Sequence, residues 1–249
     1  MAASPRPNII FLIADQWRAK TTGYYGNPVV KTPCIDALAA EGAGFTNCHV
    51  QGTVSTPSRA TFASGRYCHV AGHRTMHHHL RMHEANMLRT FKENGYFVFW
   101  TGKNDMIAME CEEVSCDAHP PMRWDRRKKD VKNPYPMGHR LHYSFLYGEV
   151  PSFYFSTDDS VIENAIDFIN SPPTDKPFFM LINNELPHPP YAVDAPWYAM
   201  YDRDDVPFPI RQNVPFEGKP RILPEVSKRA KLGELTEEDW REIVAVYYG

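Results

Sequence analysis

Asn8-Ile9-Ile10-Phe11-Leu12-Ile13-Ala14-Asp15-Gln16 is an unbroken apolar run that ends in a carboxylate and an amide. Its shortness and its isoleucines predict a strand over 8–14 rather than a helix. The lack of polar alternation predicts burial on both faces, as in a parallel sheet covered by helices. Asp15 then falls where a central strand ends, at the edge where open α/β sheets bind their ligands. The same position also suits a plain strand-end turn with Asp as a cap.

Two further runs of this kind follow, Tyr96-Phe97-Val98-Phe99-Trp100-Thr101 and, over 177–184, Pro177-Phe178-Phe179-Met180-Leu181-Ile182-Asn183-Asn184. A shorter strand is predicted over 45–50. Helices are predicted between them. One opens with Thr32 as cap and Pro33 first, and ends at Gly42. A second covers 84–94 with Met87, Leu88 and Phe91 on one face and Gly95 as its stop. A third is capped by 157–160, carries Val161, Ile162, Ala165, Ile166, Phe168 and Ile169 at helical spacing, and stops at Pro172. A last one is capped by Thr236, with Trp240, Ile243, Val244 and Tyr247 at core spacing. Residues 107–150 show little periodicity, and 192–235 read as a Pro-rich irregular excursion. The alternation predicts an α/β fold, a three-layer α/β/α sandwich with a mostly parallel mixed sheet, in one domain over 1–249 with its core in 7–191.

Composition excludes several functions. A chain of 249 residues can bury a sizeable core. Its net charge of −3 gives no basic field for nucleic acid. Five cysteines, Cys34, Cys48, Cys68, Cys111 and Cys116, form no C-x-x-C pair, and the odd count points to reduced thiols. No apolar leader follows Met1 and no run reaches 18 apolar residues, so no membrane partner is expected and the location reads as cytoplasmic.

Ser55-Thr56-Pro57-Ser58-Arg59 reads as the start of a helix, with Thr56 as cap and Pro57 first. Free N–H groups and the positive end of the dipole would face Ser55, which suits an anion. Arg59, about one turn on, can reach the same point. Lys103 follows the strand that ends at Thr101, and His188 lies among prolines after the strand of 177–184. Taken singly these are a capped helix start, a solvated charge and a packed loop histidine. His73 and His77 are four apart, but no nearby Cys or carboxylate completes a metal site. Arg123, Arg126, Arg127, Lys128 and Lys129 surround Trp124, either as a solvated loop or as a rim for an acidic or sulfated substrate.

The run Ser55 to Arg59, closed by Gly65-Arg66, resembles the sulfatase signature of the alkaline-phosphatase-like superfamily. The resemblance implies that Ser55 is oxidised to formylglycine by a maturation enzyme and acts as the nucleophile. It places Asp15 and Gln16 where the family carries Asp-Asp for a divalent cation; Gln16 departs from that pattern but offers an amide oxygen. The implied metal is Ca2+, with Mg2+ or Mn2+ as alternatives, held by Asp15, Gln16 and the residue at 55. Gly102-Lys103-Asn104-Asp105 resembles the family's Gly-Lys segment, whose Lys contacts sulfate and nucleophile; the usual His two residues on is Asp105 here. Pro187-His188-Pro189-Pro190 resembles the Pro-His-x-Pro whose His contacts sulfate near the leaving oxygen. Gly72-His73-Arg74-Thr75 resembles a segment of one branch. The likeness spans almost the whole chain but implies a longer domain with a second metal pair beyond the last helix, so the chain matches an N-terminal half, C-terminally truncated. The implied function is a sulfuric ester hydrolase acting on a small-molecule or carbohydrate sulfate ester, with Ser55, Arg59, Lys103 and His188 catalytic. Two other readings stay open: a phosphoesterase or phosphonate monoester hydrolase using Ser55, and an inactive binding or regulatory module.

Overall fold

Val98 and Trp100 leave one face of a strand while Phe97 and Phe99 leave the other, and both faces are packed. The structure, a computed structural model, describes residues 6–121, 131–151, 157–209 and 216–249. The basic run from Arg123 to Lys129 lies outside the described residues. Among the described residues five strands form: β1 Ile9–Ile13, β2 Phe97–Gly102, β3 Leu146–Val150, β4 Phe178–Asn183 and β5 Tyr191–Asp194. The α-helices are α1 Pro33–Glu41, α2 Ser55–Ser64, α3 Met87–Glu93, α4 Glu112–Ser115, α5 Thr157–Asn170, α6 Ala195–Tyr198, α7 Ile222–Arg229 and α8 Glu237–Tyr248. Among the described residues no helix is long and apolar enough to cross a membrane. All five cysteines are free thiols, and burial pushes that of Cys116 up to about 11.

Backbone contacts divide the chain into two compact units. One comprises Met1–Asp15, Phe45–Asp125 and Phe155–Leu186; the other comprises Gln16–Gly44, Arg126–Tyr154 and Pro187–Gly249.

The first unit is built on a parallel sheet in the order β1-β4-β2, with Ile9 opposite Phe179 and Phe97 opposite Phe178. The strand period of two splits its apolar residues between two layers. Val98, Trp100, Phe179 and Leu181 pack with Ala60 and Ala63 of α2 and Leu88 of α3. Phe99, Met180 and Ile182 pack with Val161, Ala165 and Phe168 of α5. This is the expected helix–sheet–helix layering. Trp100 is fully buried and stacks on His119 at 4.1 Å. Trp100→Ala would cost about 3–5 kcal/mol. At the end of β2, Gly102 has φ 96, and a Cβ there would lie 2.1 Å from the carbonyl oxygen of Asn183. Only glycine lets β2 and β4 approach so closely at the edge that carries the site.

Several local expectations are corrected. β1 is buried on one face only. Ile9, Phe11 and Ile13 pack inward, but Ile10 and Leu12 are 52 % and 48 % exposed. β1 is an edge of its sheet, and the α5 layer covers β2 and β4. Residues 45–50 form no strand, and Phe45 and Val50 are exposed. α2 begins two residues early: Val54 is its cap, the Ser58 N–H donates to Val54 O at 3.0 Å, and Pro57 is the third residue of the helix. Any of the first four N–H groups lacks a helical partner, so Pro is tolerated throughout that turn. The Thr56 hydroxyl donates instead to Met76 O at 3.2 Å. α3 starts at Met87 because the Asn86 side chain accepts from the Arg89 N–H at 2.9 Å and outcompetes Glu84 as the start. Glu84 takes the Arg81 N–H at 2.9 Å and the His73 ring at 2.9 Å, and His73 and His77 do not share a helix face.

The second unit pairs β3 with β5 in parallel, from two stretches that show no strand period. The supposedly irregular 192–235 thus contributes part of β5, and it also holds α6 and α7. Leu141, Leu146, Leu235, Ile243 and Val246 form the core on which α8 rests. α1 has the predicted bounds. Its Thr32 hydroxyl makes no cap but accepts from the Gly23 N–H and donates to Asp36, each at 2.9 Å.

Candidate active site

In the first unit, three chain segments converge on one oxygen of Asp15. Asp15 follows β1, Ser55 opens α2, and Lys103 follows β2. The Ser55 hydroxyl donates to Asp15 Oδ2 at 3.2 Å. Lys103 Nζ donates to the same oxygen at 2.8 Å, and Arg59 Nη2 lies 3.4 Å from it. Arg59 is one helical turn after Ser55, and its Nε donates to Ser55 Oγ at 3.0 Å. The structure therefore brings together Asp15, Ser55, Arg59 and Lys103.

The Arg59 side chain is only 4 % exposed, and its Nη1 is buried with no hydrogen-bond partner. A buried guanidinium N–H without an acceptor is costly. An oxyanion next to Ser55 would supply that acceptor. The first turn of α2 adds its unpaired N–H groups to the same end.

Lys103 is fixed by its backbone as well as its charge. Its N–H donates to Asn183 O at 3.0 Å, and its carbonyl accepts from Asn183 Nδ2 at 2.8 Å. Asp105 Oδ2 stands 3.1 Å from Nζ, an ion pair, although that oxygen makes no well-aligned hydrogen bond. Burial opposes the ammonium charge, but the carboxylates of Asp15 and Asp105 outweigh it and hold the Lys103 amine above its ordinary value. Asn104 Oδ1 accepts from the N–H groups of Met106 and Ile107, both at 3.0 Å. That turn holds Asp105 at φ 38. Asn104 and Asn183 were missed by sequence reasoning. Asn after a strand end is an Asx-turn signal that could have found the first. Nothing local marks the second, whose partner is 80 residues away.

Gln16 and His188 belong to the second unit. Gln16 has φ 63; its side-chain N–H donates to the Tyr191 hydroxyl at 3.3 Å, and its carbonyl accepts from Tyr247 at 2.7 Å. His188 is half-buried, with Nδ1 at 2.7 Å from Pro189 O. A carbonyl only accepts, so Nδ1 carries the proton and Nε2 keeps its lone pair in the neutral ring.

A hard divalent cation takes six or more oxygen ligands, rich in carboxylate. Asp15 is a carboxylate already facing two cationic side chains. Among the described residues no group of three or more His, Cys, Asp or Glu is placed to hold a metal. Among the described residues the donors do not make a complete cation site.

Comparison with known proteins adds a family. A family model described as Sulfatase matches residues 7–248. The chain is similar to an ulvan-active sulfatase of Formosa agariphila, 28 % identical over 230 residues that cover 87 % of this chain and 42 % of that protein. The phosphonate monoester hydrolase of Agrobacterium radiobacter has a similar fold, with a TM-score of 0.71 at 20 % identity, covering 98 % of this chain and 56 % of that one. So does BT4656, solved in complex with its substrate D-glucosamine-2-N,6-O-disulfate, with a TM-score of 0.65 at 22 % identity and coverage of 86 % and 41 %. The chain thus spans about two fifths of the length of the curated relatives it matches.

Proposed function

Because the chain belongs to the sulfatase family, we propose that it carries the nucleophile-bearing part of a sulfuric ester hydrolase acting on a sulfate ester of a carbohydrate or small molecule. The observation that carries this reading is Arg59, whose Nε holds Ser55 Oγ at 3.0 Å while its buried Nη1 lacks an acceptor. One guanidinium then orients the nucleophilic position and binds a sulfuryl oxygen. Lys103 places a second positive charge beside the same carboxylate. Charge develops on the sulfuryl oxygens and the leaving oxygen as the ester S–O bond breaks, and fixed cations stabilise it without reorganising. The family resemblance gives His188 a contact with the leaving oxygen.

Formylglycine made from Ser55 would supply a hydrated aldehyde: one hydroxyl would form the new S–O bond as the ester S–O bond breaks and the alcohol leaves with a proton, and the second hydroxyl would then lose its proton, so that the C–O bond to sulfate breaks and the aldehyde re-forms. In this scheme Asp15 orients the group at 55 from 3.2 Å, and Arg59 and Lys103 hold the transferred sulfuryl group. The resemblance also offers Asp15 and Gln16 to a divalent cation, Ca2+, Mg2+ or Mn2+; no step here depends on it.

The test is to co-express the chain with a formylglycine-generating enzyme. The peptide containing Ser55 should lose two hydrogens in mass, and sulfate esters should be cleaved in preference to phosphate esters. Cleavage of phosphate esters with unmodified Ser55 would favour the phosphoesterase alternative. An unmodified chain that cleaves neither would favour the binding-module alternative.

A further inference from the structure

The second unit contains a cavity of about 510 Å³, a size typical of small-molecule sites. The segment from Gln16 to Pro28 forms one wall; Tyr191, the stretch 207–209 and the inner face of α8 form the others. Its lining is aromatic: Tyr25, Tyr191, Phe208, Trp240, Tyr247 and Tyr248. Its charge is one-sided. The lining includes Arg18 and Lys20 and no Asp or Glu, in a chain that has 30 acidic residues against 27 basic ones. Neither cation belongs to an ion pair among the described residues.

The walls are held by polar contacts. The Tyr247 hydroxyl accepts from the Arg18 N–H at 3.0 Å and donates to Gln16 O at 2.7 Å. Asn27 Nδ2 donates to the Tyr248 hydroxyl and to Lys20 O, both at 2.9 Å. Two tyrosines of α8 therefore pin the backbone that presents both cations. Such a site is preorganised and pays little ordering entropy on binding.

Flat aromatic faces suit the C–H face of a pyranose ring. Two cations with no counter-charge suit an oxyanion, which charge-assisted hydrogen bonds hold more strongly than neutral ones. We propose that this cavity binds a sulfated saccharide, with a sugar ring on the aromatic wall and a sulfate at Arg18 and Lys20. The choice of sulfate over other anions rests on the sulfatase reading; the anionic and saccharide character rests on the cavity.

The experiment uses the 249-residue chain with Ser55 unmodified, so that binding is read without turnover. Calorimetry would compare a heparin-type sulfated disaccharide, its desulfated counterpart, p-nitrophenyl sulfate and inorganic sulfate. The sulfated disaccharide should bind at least about tenfold more tightly than each of the others, a difference of about 1.4 kcal/mol. Arg18→Ala with Lys20→Ala should bring it to the desulfated level, and Tyr25→Ala should weaken both saccharides. Both cations and Tyr25 are exposed, so these variants should fold, and circular dichroism checks this. Equal binding of the desulfated sugar, or unchanged affinity in the double variant, overturns the proposal. Inorganic or aryl sulfate binding as tightly as the disaccharide also overturns it, because the sugar then contributes nothing. Ser55→Ala should leave the affinity unchanged, so a failure of the nucleophile assignment appears separately, as sulfate-ester turnover that survives this substitution or as a Ser55 peptide that stays unmodified on co-expression.

Discussion

Asp15 Oδ2 faces a hydroxyl, a guanidinium and an ammonium at once, and that crowding sets what single substitutions do. Arg59→Lys keeps a charge but loses the planar fork that meets Ser55 and leaves Nη1 free, so it is not a conservative change. Lys103 is coupled to two carboxylates, and Asp105 is the one that can be altered without touching Asp15. Asp105→Asn keeps the shape and tolerates φ 38, since Asn enters the left-handed region readily. It removes one of the two groups that raise the amine's pKa, so the Lys103 titration should move down, as read by NMR of its ε-methylene. With the folded value raised above 10.5, the pairing contributes fully below that pH and is lost as pH rises through the folded value. Base-induced unfolding should therefore begin at lower pH in the variant. An unmoved Lys103 titration would show that Asp105 does not act on the amine.

At the scale of elements, α8 shows how much of the second unit hangs on one cap. Thr236 Oγ1 accepts from the Asp239 N–H at 3.2 Å, and Asp239 Oδ2 accepts from the Thr236 N–H at 2.8 Å. Arg140 grips both Asp239 oxygens, at 2.7 and 2.9 Å. Thr236→Ala should cost about 1 kcal/mol. Asp239→Asn, which keeps an acceptor for the cap but removes the charge that Arg140 grips, should lower the urea midpoint, and restoring the carboxylate as Glu should not recover the cap geometry. Burial opposes the charge on Asp239 and Glu242, but Arg140 with the Thr236 N–H, and Arg203 with Tyr198, hold these carboxyls below their ordinary 3.8 and 4.5. Their contribution is complete above the unfolded values and is lost as pH falls through the lower folded ones. Stability should thus drop on acidification below about pH 4.5, and less steeply in Asp239→Asn. The cap of α8 was legible because Thr and Asp three apart before an apolar period have few other uses. The strands of the first sheet were legible as apolar runs between helical periods, and three of the four converging site residues sit where those runs or the helix α2 break. β3 and β5 were not legible: they are short, and they pair across more than 40 residues. The first turn of α2 was read two residues late because Pro fits anywhere in it. Gln16 and His188 were read as site residues from motif likeness, and their roles rest on that likeness.

The molecule as a whole carries an apolar surface that its own folding leaves open. In the first unit, Ile10 and Leu12 stand on the uncovered face of β1, and Ile162, Ile166 and Ile169 of α5 are also exposed. Fully burying one such side chain is worth about 1.5–3 kcal/mol, so several half-exposed ones form a surface that favours contact. β1 is also a sheet edge, with backbone N–H and C=O groups on the side away from β4. An open edge beside an open apolar face is a template for pairing with another chain. The isolated chain should therefore associate as its concentration rises, in a manner that salt does not reverse, because the drive is apolar rather than ionic. Light scattering across a concentration series measures this. Ile10→Lys with Leu12→Lys should shift the chain toward monomer, since charged side chains on an edge strand oppose pairing. Both side chains are about half exposed and β1 packs through Ile9, Phe11 and Ile13, so the melting temperature should change little. A parent chain that stays monomeric throughout the series would show that this face does not drive association. Association unchanged in the double variant would move the contact to another surface.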